Sequence, residues 1–352
     1  MSSQGSVAGT VLILSAAMSS ISSKAWLILV GTIIAAPASA QTAPDPARLA
    51  PGQKCAVITQ ANADASAGTA NINHDGTPIP GIPAPDISKG FTGIPQSKQP
   101  PLTASQRRIL ECTYRLTEAN ADVPYTLFVP STYDPAKPSP LVVDLHGLYA
   151  TPLQQILFDG TTDLAERFGF IVLAPMGFNL SSWWGSRAGK PVETAAVKPG
   201  EDVRYSNTEL AEIDAITVLK LIREKYTIDS DRIYLMGHSM GGAGTYYLGA
   251  KYNDIWAGLA PISGAGGIAE GTAERYRSLP TLIMHGGKDS IVPAATSRRA
   301  VAALQAVGAP HIYLEFPDKD HEFWIRRGAA QMEKVFLFFS LVSKRTTALP
   351  EK

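Results

Sequence analysis

The amino-acid sequence predicts an α/β fold: a doubly wound, mostly parallel sheet, with an antiparallel N-terminal hairpin at one edge. Three observations predict it. LVVDLH at 141–146 is a continuous apolar run, the mark of a strand buried on both faces of a parallel sheet. Strand-like runs alternate with helical ones from there to the C-terminus, the order that builds a parallel sheet with helices on its faces. RIYLMGHSMGG at 232–242 carries an apolar β-type segment into a serine boxed by glycines, with a helix opening directly behind it. Backbone strain of that kind is costly and points to a functional turn.

The elements follow in order. ECTYRL (111–116) and PYTLFVP (124–130) alternate in β fashion around the polar turn TEANADV and read as the opening hairpin. After LVVDLH come a helical stretch near 153–168 and the strand FIVLAP (170–175). NTELAEIDAITVLKLIREKY places Leu210, Ile213, Ile216, Leu219 and Ile222 at helical spacing. RIYLMG is the next strand, followed by a glycine-started helix through Tyr246 to Ala250. WAGLAPIS, TLIMH and HIYLEF are further strands, and GAAQMEKVFLFFSLVSK closes the chain as a helix.

Of 352 residues, 45% are hydrophobic and 18% charged, ample material for a large core. Lys plus Arg equals Asp plus Glu at 31 each, which argues against nucleic acid or an anionic membrane surface as partner. Lys24, the apolar run 25–36 and PASA before Gln41 form a secretory signal pattern with cleavage after Ala40. The apolar core is too short to span a bilayer comfortably, so secretion or periplasmic export without stable membrane insertion is expected. Met18 would give a signal of normal length, making 1–17 an upstream extension. Residues 41–102 read as an N-terminal arm or linker, with seven prolines in 76–101. Residues 103–345 read as the catalytic domain and 346–352 as a tail. Cys55 and Cys112, in an oxidising compartment, are expected to pair. A loop of that size contributes roughly 4 kcal/mol in the chain-entropy account.

The chemistry centres on Gly237-His238-Ser239-Met240-Gly241. Strand, sharp turn and helix are what a nucleophile elbow demands, lifting the Ser239 hydroxyl proud of the sheet. A serine hydroxyl needs a base. His238 adjoins it on the turn and should point away. His146 and His285 end strands and read as scaffold, His311 begins a strand, and His74 lies in the arm. His321, in the loop PDKDHEF past the strand HIYLEF, remains as the base. Asp289, just past a strand end in HGGKDSIVP, is the carboxylate that orients it; Asp318 and Asp320 are rivals that read as loop solvators. The backbone N–H of Met240 is one expected oxyanion donor. The other is the amide of Leu148, with Tyr149 as the fallback. Trp183 and Trp184, in a loop bordering this edge, are candidate stacking residues, and Tyr149 and His238 complete the candidate substrate-binding set. Trp324 would pack beside His321, and Asp214, mid-helix, reads as structural. No metal site is expected.

PLVVDLHG, GHSMGGAG, HGGKDSIVP and DHEFW resemble the α/β-hydrolase superfamily. Within it they are similar to secreted esterases of the feruloyl esterase and polyhydroxybutyrate depolymerase-like group, and GHSMGG resembles cutinase-like polyester hydrolases. The resemblance covers about residues 111–343. It implies cofactor-free hydrolysis of a small-molecule or polymeric carboxylic ester through an acyl-enzyme. Two rivals remain: a prolyl-oligopeptidase-like peptidase, and a non-catalytic binding protein on the same scaffold.

Overall fold

The computed structural model describes residues 54–66, 100–186, 205–322 and 328–347. The expected signal, most of the proline-rich run, His74, Trp324 and the chain beyond 347 lie outside the described residues.

The first part of the chain gives β1 (Lys54–Val57), α1 (Gln60–Ser66), β2 (Leu110–Leu116), β3 (Ala121–Phe128) and β4 (Ser139–Leu145). Then come α2 (Pro152–Ile156), α3 (Thr161–Phe168), β5 (Ile171–Pro175), α4 (Asn207–Lys225), β6 (Ile228–His238) and α5 (Met240–Lys251). The chain continues with β7 (Gly258–Ile262), β8 (Thr281–Gly286), α6 (Ala295–Ala306), β9 (His311–Phe316), α7 (Ala329–Leu341) and α8 (Lys344–Thr347). The nine strands form one sheet in the order β1-β2-β3-β5-β4-β6-β7-β8-β9. From β5 to β9 every neighbouring pair is parallel, while β1, β2 and β3 join antiparallel.

The parallel strands are apolar throughout because both of their faces are covered. Period-2 alternation divides them between two cores. Leu141, Val143 and Leu145 of β4, with Ile233 and Leu235 of β6, pack with Val218 and Leu219 of α4 and Tyr246 and Leu248 of α5. Val142, Tyr234 and Met236 point the other way, to Leu164 of α3 and Phe336 and Phe339 of α7. Tyr234 and Phe339 stack at 4.6 Å between ring centroids.

Three details differ from the sequence expectation. Residues 54–66, assigned there to the arm, add β1 and α1, so β1 rather than the hairpin is the sheet's outer strand. Cys55 lies directly opposite Cys112 in the register and the two are disulfide-bonded. A short strand with only Val57 and Cys55 as bulky apolar residues has little periodicity to read; the cross-link and the pairing define it. The helical stretch 153–168 is two helices, because Gly160 sits at φ 83 between them. Strand β6 starts at Ile228, four residues before RIYLMG, since the polar Asp229-Ser230-Asp231 segment is half-exposed and lacks the apolar signal.

Candidate active site

The turn between β6 and α5 is built by steric exclusion. A Cβ on Gly237 would lie 2.5 Å from the carbonyl oxygen of Gly241, and one on Gly241 would lie 1.9 Å from that of Leu145. Only glycine at both positions lets helix and strand approach this closely. Ser239 takes φ 58 and ψ −112, a conformation L-residues rarely adopt. Hydrogen bonds over-determine it: its amide donates to Ile262, and its carbonyl accepts from Ala243 and Ala265 at 3.0 and 3.1 Å. The serine stays partly exposed while its neighbours His238 and Met240 are buried.

Asp289 stands past the end of β8. Its Oδ1 accepts from the amides of Ile291 and Val292 at 3.0 and 2.8 Å. Its Oδ2 accepts from His321 Nδ1 at 2.7 Å, and His285 Nε2 lies 3.2 Å from the same oxygen. Burial would raise this carboxyl, but the hydrogen bonds from His285 and His321 outweigh it and hold the group well below the usual carboxylate range. The carboxylate is therefore ionised at any ordinary pH. His321 is itself buried, and with Nδ1 taken by Asp289 its Nε2 is left for chemistry.

The imidazole of His321 reaches the elbow through His238. The ring centroids lie 4.6 Å apart, and His238 Nε2–H donates to the backbone carbonyl of His321 at 2.9 Å. Ser239 Oγ makes no side-chain hydrogen bond among the described residues; His321 bonds Asp289, and the His238 bond to its carbonyl ties its loop to the turn.

Two amides face this corner. That of Met240, the first residue of α5, has no intrahelical acceptor. In the loop after β4, the Tyr149 amide is committed to the Leu180 carbonyl at 2.8 Å, whereas the Leu148 amide has no acceptor among the described residues. Gly147 keeps that loop against the elbow: a Cβ there would touch both His238 Nδ1 and Ser239 Cβ at 3.5 Å.

Known proteins match part of this sequence and its fold. Residues 201–342 match the phospholipase/carboxylesterase family. A bifunctional acetylxylan esterase/xylanase of Neocallimastix patriciarum is 27% identical over 166 residues, 47% of this chain and 21% of that protein. Feruloyl esterase B of Neurospora crassa is 27% identical over 124 residues, 35% of this chain and 38% of that one. The chain thus spans well under half the length of either curated relative. Among solved structures, a thermostable esterase superposes with TM-score 0.50 at 26% identity, covering 67% of this chain and 63% of its own. The ferulic acid esterase of Anaeromyces mucronatus in complex with ferulic acid gives 0.51 at 21% identity, covering 65% and 90%.

The chain has the α/β-hydrolase fold. The matched family is that of phospholipases and carboxylesterases, and both curated relatives are named as esterases.

Other residues take places that sequence reasoning did not separate. Trp184 is buried in the core, against Gly177 and Gly244, where a Cβ would lie 2.7 and 2.6 Å from its side chain. It donates Nε1–H to the His146 carbonyl at 3.1 Å, which ties it to the start of the loop after β4. Trp183, also left-handed at φ 56, is only partly buried and lines a surface cavity. His146 is fully buried, with ring nitrogens against the carbonyls of Gly147 and Met176, and burial lowers its pKa. Asp214 accepts from Tyr114 and from the Phe178 amide; burial raises its pKa to about 6 against those bonds. His285 was read as scaffold, yet it touches the Asp289 carboxylate while bonding Ser297 Oγ and the Val292 carbonyl. The signal was there: His285 and Asp289 are four residues apart across a glycine pair at a strand end. Among the described residues no cluster of His, Cys, Asp and Glu could hold a metal ion.

Proposed function

We propose that the protein is an exported serine esterase that cleaves carboxylic esters of the acetyl and feruloyl kind. Ser239 Oγ attacks the ester carbonyl and His321 Nε2 takes its proton. The amides of Met240 and Leu148 receive the oxyanion, and Asp289 stabilises the imidazolium. The alcohol leaves with that proton. Water, deprotonated by the same histidine, then attacks the acyl-enzyme and releases the acid.

The observation that carries this reading is the 2.7 Å bond from His321 Nδ1 to a buried, ionised Asp289, next to a serine held in a strained turn. The acyl preference is drawn from the relatives named acetylxylan and feruloyl esterase. Export is drawn from the N-terminal pattern; among the described residues no helix is long and apolar enough to cross a membrane. The test is hydrolysis of acetyl and feruloyl esters, polyester film and a peptide anilide by the wild-type chain and by Ser239→Ala. Ester cleavage should fall roughly a thousandfold or more in the variant, with its circular dichroism unchanged. A fluorophosphonate should label only the chain that keeps Ser239. Ester turnover persisting in Ser239→Ala would sink the proposal.

A further inference from the structure

Beside the elbow lies a cavity of about 790 Å3 between the loop after β5, the outer face of α5 and the segment after β7. It begins at Ala243 and Ala265, the two residues whose amides hold the Ser239 carbonyl. From Ala243 it follows one helical face through Tyr247 to Lys251, about 12 Å at the rise of an α-helix. Trp183 forms an aromatic side of it, and Arg275 stands on its rim.

The two cations differ. Lys251 Nζ is paired with Glu212 at 2.5 Å, and Glu212 also accepts from the hydroxyls of Tyr247 and Tyr252. The nearest acid to Arg275 in sequence, Glu274, is bound by Arg277 through two bonds. The Arg275 guanidinium makes no hydrogen bond or ion pair with the described residues. The lining therefore includes an indole and a guanidinium that has no counter-charge among the described residues. A guanidinium matches a carboxylate two bonds at a time, and an indole takes a flat or hydrophobic ring face. The volume suits one small molecule or sugar unit rather than a protein segment.

We infer that this cavity binds a ring bearing a carboxylate, with the ring against Trp183 and the carboxylate on Arg275. The ring is either an acidic sugar or an aromatic acid. Insofar as it belongs to the ester being cleaved, the inference rests on the proposed esterase reaction. The approach from Ala243 to Ser239 then places the ester and the acidic ring at neighbouring positions of one substrate.

The test is a binding measurement on Ser239→Ala protein by calorimetry, with benzoate, D-glucuronate and their uncharged counterparts benzyl alcohol and methyl glucoside. One carboxylate should bind about tenfold more tightly than its counterpart, and Arg275→Gln should abolish that difference. Preference for glucuronate identifies the ring as a sugar, preference for benzoate as an aromatic acid. Equal binding of charged and uncharged rings, no binding by any of them, or carboxylate binding unchanged in Arg275→Gln would each overturn the inference. The readout needs no turnover, so its failure leaves the esterase reading standing. Failure of that reading shows separately, as activity surviving in Ser239→Ala.

Discussion

His238 donates its Nε2–H to the backbone carbonyl of His321 at 2.9 Å, and the two rings lie 4.6 Å apart. The residue that precedes Ser239 thus supports the loop that carries His321. Burial, then the nearby His321, lowers the His238 pKa to about 3, so the ring stays a neutral donor through the whole working range.

Removing that donor should misplace the imidazole without emptying the site. His238→Leu is expected to lower kcat by about a hundredfold with a small change in KM, because a shift near 1 Å is enough to spoil proton transfer. His238→Gln, which keeps a donor, should retain more activity. Steady-state kinetics on a short-chain ester compare them; equal activity in His238→Leu and the wild type would remove His238 from the positioning role.

Asp289→Asn should leave the fold intact and lower kcat by about three to four orders of magnitude, since the amide favours the wrong histidine tautomer. The same residue shapes acid stability. Its folded pKa lies below the ordinary 3.8, so its contribution is present above about pH 4 and is lost as pH falls below that value. Denaturation midpoints from pH 6 down to pH 2 should therefore fall less steeply in the variant. A variant curve parallel to the wild type would contradict the assignment.

Asp144 behaves in the opposite sense. It is fully buried on β4, bonded to Gln155 Nε2 at 2.7 Å, and its Oδ2 has no partner among the described residues. Burial raises its pKa from 3.8 to about 8, against the lowering by Gln155. A raised folded pKa means stability fully present below about pH 4 and lost as pH rises towards 8, at no more than about 1.4 kcal/mol per pH unit. Asp144→Asn should remove that slope, so that the variant gains on the wild type between pH 5 and pH 9 in urea titrations. An unchanged difference across that range would show that Asp144 is ionised in the fold.

Reduction of Cys55–Cys112 should cost about 2–4 kcal/mol of stability and spare activity at room temperature. The bridge joins β1 to β2, and four strand spacings separate β2 from β6, about 19 Å at ordinary sheet geometry. Thermal melting with and without dithiothreitol measures the first effect and ester hydrolysis the second. No change in melting temperature would mean that the edge strand is held by pairing alone.

Much of the fold was legible because burial on both faces leaves a plain mark. LVVDLH, FIVLAP and TLIMH are all strands, and the helix from Asn207 buries Leu210, Leu219 and Ile222 of the expected stripe, while Ile213 and Ile216 are only partly buried. The strained serine turn was legible because backbone clashes leave no residue but glycine at Gly237 and Gly241, two positions before and after Ser239. What was not legible was which way a side chain faces once the backbone turns left-handed. Trp183 and Trp184 are neighbours in a loop, with φ 56 and 57, and one lines a cavity while the other is core. Nor could sequence separate a histidine that bonds a carbonyl from one that also touches the acid, as His285 does with Asp289.

By itself the sequence determined the alternation of elements and the strained serine turn, because these depend on local sterics and periodicity. Only the tertiary structure decided that, among the described residues, the Tyr149 amide and not that of Leu148 has an acceptor, that His238 supports His321, and that Arg275 and Trp183 line one cavity with no counter-charge on Arg275. Each of those depends on which acceptor or counter-charge arrives from a distant part of the chain, and packing alone settles that.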